Sequence, residues 1–159
     1  MFLKRQRRAH RKCPMTIPSF DETPLPKAAE LAARVAGVPA RSHSELMRHL
    51  EAQPGWMSLD GWPEIEDAEL LRQLVGRPED LRELHVVSDR SYADGRGAFV
   101  VQAGRLNDFV REYVEHFGEA LFNGDVIVVS CEQKAVWILH HEGLLLRWRA
   151  EPSSPRIES

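Results

Sequence analysis

The sequence predicts an α+β fold: amino-terminal helices followed by a ββαβββ antiparallel sheet with one long helix packed on it. Three observations lead there. Apolar residues recur at helical spacing in the segments before Gly76. From Leu84 onward the pattern becomes short apolar runs bounded by turn residues. One segment between those runs, starting near Arg105, keeps a strict helical period. Consecutive strands with tight connections pair antiparallel, so a meander of about five strands is expected.

The elements follow in order. Thr23–Pro24 is an N-cap followed by a proline at the first helical position. Leu25, Ala28, Ala29, Ala32, Val35 and Ala36 then fall on one helical face, and Gly37 ends the run. Ser42 and Glu45 have the spacing of a capping box for a second helix reaching about Ala52, which Pro54–Gly55 stops. Trp56–Pro63 reads as a loop. Pro63 opens a third helix with Ile65, Ala68, Leu71, Leu74 and Val75 inward, closed by Gly76.

Leu84–Ser88 and Gly97–Gln102 are apolar runs around a turn signal at residues 92–97, a predicted hairpin. Leu106, Phe109, Val110, Tyr113, Val114 and Phe117 form the clearest amphipathic pattern, capped by Gly118. Asn123–Gly124 turns into Asp125–Ser130, whose Val-Ile-Val-Val centre suits a strand covered on both faces. Ala135–His140 and Leu144–Arg149 complete the meander through turns at 131–134 and 141–143. The long helix should pack Phe109, Tyr113 and Phe117 against Ile127, Val129, Trp137 and Leu139. The amino-terminal helices should cover the edge or the other face.

A chain of 159 residues, 43% hydrophobic and 28% charged, can bury a core without disulfides. We expect one domain over 23–150, a disordered basic tail and linker over 1–22, and a flexible tail over 151–159. The net charge of -3 hides an asymmetry. Six of the 21 Lys and Arg fall in residues 1–12, so the remainder sets 15 bases against 24 acids, a net of -9. An acidic body repels nucleic-acid phosphates and favours basic partners, which leaves only the tail for nucleic acid. No run approaches the ~18 apolar residues of a membrane span. No apolar stretch follows the charged beginning, so no secretory signal is read. Cys13 and Cys131 are isolated, which fits a reduced cytosol and a cytoplasmic protein without a cysteine metal framework.

Candidate chemistry is sparse. His140-His141-Glu142 has metal-ligand residue types. Neighbours on a strand point to opposite faces, so the two histidines share no ion unless the turn intervenes. His140-x-Glu142 is half of a zinc-deaminase pattern whose Pro-Cys-x-x-Cys half is missing. Asp125 with Glu132-Gln133-Lys134 resembles the acid and Glu-x-Lys arrangement of metal-dependent nucleases, where two carboxylates hold the metal and the lysine activates water. That is the alternative function, although Glu132 and Lys134 fall in a polar turn. Ser130, His140 and Asp125 lack a nucleophile elbow. No catalytic residue, metal or cofactor is therefore expected.

The acidic stretch points elsewhere. Asp60, Glu64, Glu66, Asp67 and Glu69 occur within ten residues that contain no Lys or Arg, and Trp56 and Trp62 flank their start. Aromatic anchors beside steering charge are what an interface needs. The expected partner-binding set is Trp56, Asp60, Trp62, Glu64, Glu66 and Asp67.

Over Phe99–Gly143 the chain has an aromatic-rich helix ending Phe117-Gly118, then Phe122-Asn123-Gly124-Asp125 leading into an apolar strand, then Trp137 and His140-His141-Glu142-Gly143. This pattern resembles bacterial immunity proteins of contact-dependent and other polymorphic toxin systems. The resemblance implies a small cytosolic protein that binds and neutralises a cognate toxin. It assigns no binding residues. An acidic domain suits a basic toxin partner.

Overall fold

Strand β5 (Val126–Ser130) is buried along its whole length, and the rest of the molecule is arranged around it. The computed structural model describes residues 17, 19–77, 81–93 and 96–149. The other strands are β1 (Asp21–Pro24), β2 (Met57–Ser58), β3 (Glu83–Val87), β4 (Gly97–Gln102), β6 (Ala135–His140) and β7 (Leu144–Arg149). All seven join one antiparallel sheet in the order β1-β4-β3-β5-β6-β7-β2. The helices are α1 (Leu25–Ala36), α2 (His43–Glu51), α3 (Asp67–Val75), the short α4 (Asp89–Ala93) and α5 (Leu106–Phe117). The fold class is α+β, as the sequence predicts.

Helices cover both faces of the sheet. Alanines and Val35 of α1 share a core with Leu46 and Leu50 of α2 and with Ile127, Val129, Val136 and Ile138. On the other face Leu70, Leu71 and Leu74 of α3 and Phe109 and Tyr113 of α5 pack with Val126, Val128, Trp137 and Leu139. Pairing Val126 with Leu139 and Val128 with Trp137 puts these four side chains on one side of the pleat. The expected contacts of α5 are therefore right for Trp137 and Leu139 and wrong for Ile127 and Val129, which face α1. The third helix joins α5, and α1 and α2 form the opposite layer.

Five features differ from the sequence reading. Asp21–Pro24, expected as linker and cap, is an edge strand paired with β4 from Asp21↔Val100 to Pro24↔Gly97. Proline is tolerated there because one side of an edge strand donates to nothing. Ile17 and Phe20 are buried in the core, so the expected disordered segment over 1–22 ends too late. Residues 1–16, 18 and 150–159 lie outside the described residues. β3 and β4 pair as the expected hairpin does, but α4 stands between them, held by Ser88 N–H donating to Ser91 Oγ at 3.1 Å. Met57–Ser58 adds a seventh strand on β7. The proline-led third helix is a 3-10 turn, Trp62–Glu64, before α3 begins at Asp67.

Candidate functional site

The expected interface is divided by the sheet. Trp56 packs against the α1–α2 core and Trp62 against the α3–α5 core, so the two tryptophans do not line one surface. The cause is β2: a two-residue strand on the sheet edge sends the chain across from one face to the other.

The acids after Trp62 remain together. Asp60, Glu64 and Glu66 are exposed and Asp67 is half-buried. Residues 63–68 form one wall of a groove of about 550 Å³, and Val110, Val114 and residues 118–120 form the other. Val114 is 41% exposed, one of two large hydrophobics so presented among the described residues. The groove's four carboxylates are not equivalent. Asp67 Oδ2 accepts the Leu121 N–H at 2.6 Å. Burial raises the Asp67 carboxyl, and the N–H groups of Leu121 and Phe122 oppose that rise. Glu119 takes two hydrogen bonds from Arg90, at 2.6 and 2.8 Å. Among the described residues Glu64, Glu66 and Asp60 have no side-chain hydrogen bond or ion pair. Glu69 is engaged by Arg72 at 2.8 Å.

A second cluster stands at one end of β5 and β6. Asp125 precedes β5, His140 ends β6 and His141 opens the turn to β7. Asp125 Oδ1 accepts from the His141 backbone N–H at 2.9 Å and from its ring Nδ1 at 2.8 Å. His140 Nε2 lies 3.8 Å from the same oxygen, and the two imidazoles are 4.0 Å apart between centroids. Burial works to raise the Asp125 carboxyl, but the His141 hydrogen bonds outweigh it and hold the group below its usual value. The same hydrogen bond raises His141. Asp89 is raised by burial and by the Asp125 charge beside it. Its carboxylate occupies the space a β-carbon at Gly124 would fill.

The sequence reading let the two histidines share an ion only if the turn at 141–143 intervened. The turn does intervene: β6 ends at His140, the chain reverses at His141, and the two rings come together. A signal for the cluster was present: the expected pairing of β5 with β6 already puts Asp125 beside His140.

The nuclease-like trio does not assemble. Asp125 lies before β5, while Glu132 and Lys134 lie beyond its other end, a separation of roughly 20 Å at strand rise. Glu132 accepts the Arg82 N–H at 2.7 Å, and Lys134 holds the turn with φ 48°. Ser130 Oγ accepts the Gln133 N–H in that turn, at the far end of the hairpin from His140.

Comparisons with protein-family models, with curated proteins and with solved structures found no match. No helix among the described residues is long and apolar enough to cross a membrane.

Proposed function

We propose that this chain is a cytosolic binding protein that neutralises a basic partner, a toxin domain of the kind bound by the immunity proteins it resembles. It acts by binding rather than by catalysis. The observation carrying this reading is the groove between residues 63–68 and α5, which the unpaired Glu64 and Glu66 line together with the exposed Val114. Desolvating Val114 supplies contact energy, and the free carboxylates steer an oppositely charged partner. Of the six expected interface residues, Glu64, Glu66 and Asp67 line the groove, Asp60 is exposed outside it, Trp62 packs on the core beside Gly143, and Trp56 lies on the other face and is left out.

The test is to sequence the genes flanking this chain's own and to co-express the chain with any basic toxin domain found there. Protection of the host cells and a stable complex on gel filtration are expected. Glu64→Lys with Glu66→Lys should slow association by about 10-fold or more at low salt and flatten its salt dependence. Failure to protect, or a complex indifferent to the double reversal, overturns the reading.

A further inference from the structure

We propose that Asp125, His140 and His141 form a binding site for a divalent first-row transition ion, with zinc as the representative. The inference involves no groove residue and stands apart from partner binding.

Each of the three residues offers one ligand atom, and these atoms all lie within 4.8 Å of one another. Around a tetrahedral zinc with bonds of ~2.0–2.1 Å, neighbouring donors sit about 3.3 Å apart. The distances from Asp125 Oδ1 to His141 Nδ1, 2.8 Å, and to His140 Nε2, 3.8 Å, bracket that value. Those two distances reach the tetrahedral value by shifts of about half an ångström, and all three donors already lie within 4.8 Å of one another. Two imidazoles and one carboxylate suit zinc, nickel, copper or iron, whereas calcium and magnesium prefer oxygen-rich sets.

The backbone presenting these donors is tied from several sides. Val126 pairs with Leu139, which fixes Asp125 against the end of β6. Gly143 N–H donates to the His140 carbonyl at 2.8 Å and closes the turn. Leu59 N–H donates to the Gly143 carbonyl at 2.8 Å and tethers the turn to the chain beyond β2. His140 Nδ1 accepts the Glu142 backbone N–H at 3.3 Å. Ligation through Nε2 would put the ring proton on Nδ1, where the Glu142 carboxylate, 3.8 Å away, is the nearby acceptor. Asp89 adds negative charge beside Asp125 and His141. His141 is exposed, so the site faces solvent and leaves the remaining coordination position to water.

The test uses the full chain, with any affinity tag removed, titrated with Zn²⁺ by calorimetry while the His140 and His141 ring resonances are followed by NMR. One zinc per chain at micromolar affinity, with both rings shifting together, is expected. Asp125→Asn and His141→Ala should each weaken binding by about 10-fold or more, with the melting temperature of each apo variant recorded. Glu132→Gln, at the far end of β5, should leave it unchanged. No binding below about 1 mM overturns the proposal. So does zinc that binds without moving the two rings, or that binds His140→Ala/His141→Ala as tightly as the parent chain. The ring shifts of the unaltered chain decide the matter even where a variant fails to fold.

Discussion

The indole of Trp62 lies directly over Gly143, in the space where any other residue at 143 would place its β-carbon. Gly143 also has φ 77°, a left-handed conformation that glycine adopts without cost. The two facts lock the segment after β2 to the β6–β7 turn, beside the Leu59–Gly143 hydrogen bond. Gly143→Ala therefore meets strain and collision together and should cost about 2–4 kcal/mol. Urea melts measure the loss, and tryptophan emission should change as the ring is displaced.

Gly97 is tight for a different reason. A β-carbon there would run into the carbonyl of Thr23 on β1, and neither backbone can yield without breaking the Pro24↔Gly97 register. Gly97→Ala should release β1 from the sheet edge. Hydrogen exchange should then rise in residues 21–24 and at β4, while β5 and β6 stay protected. Unchanged exchange at 21–24 would show that β1 does not depend on this approach.

Phe109 is fully buried between Phe20, 5.2 Å away edge-on, and Phe99, 5.6 Å away. Truncation to alanine removes contacts to both the sheet and the segment leading into β1. The expected cost is about 3–5 kcal/mol in denaturant melts. A loss under about 1 kcal/mol would mean that α5 does not pack here.

What was legible in the sequence is local. The period of α5 and the β5–β6–β7 meander are written in residues that contact their near neighbours. The Ser42 cap is written the same way, its Oγ accepting the Glu45 N–H at 3.2 Å. β1 was not legible: Asp-Glu-Thr-Pro has no alternation, and its partner Val100 lies far along the chain. Nor was the splitting of Trp56 from Trp62, which depends on Met57–Ser58 finding β7. The Asp125–His141 bond was not legible either: a turn at 141–143 can be expected from the residues, but not the direction in which it presents the His141 ring. The separation of Asp125 from Glu132 and Lys134 was implicit in the expected strand between them.

His43 gives a pH signature. It is half-buried, its ring against the Tyr92 hydroxyl, and burial pulls it down to about 4 from an ordinary 6.5. The unfolded chain therefore binds the extra proton first. This contribution to stability is complete above about pH 6.5 and is lost as pH falls toward 4. His141 runs the other way: its hydrogen bond to Asp125 raises it, so its smaller, exposed contribution holds at low pH and is lost as pH rises through the folded value. Ring NMR should find His43 titrating well below His141. Coincident titrations would show that His43 is solvated.

The groove acids divide into two kinds, and stability should separate them. Asp67 is the first residue of α3, where negative charge is favoured, and its carboxylate receives the Leu121 N–H from the loop after α5. That bond ties the two groove walls together. Asp67→Ala leaves the Leu121 N–H without its acceptor and should cost about 1–3 kcal/mol. Glu64 and Glu66 have no such partner, so Glu64→Lys with Glu66→Lys should change stability by no more than about 0.5 kcal/mol. A reversal of Glu64 together with Asp67 mixes a surface effect with a structural one and reads neither. Urea midpoints of the single Asp67 variant and the double glutamate variant distinguish the roles. If Asp67→Ala is as silent as the glutamate pair, residues 63–68 are not anchored to the loop after α5. The groove then lacks a fixed wall on which a partner could dock.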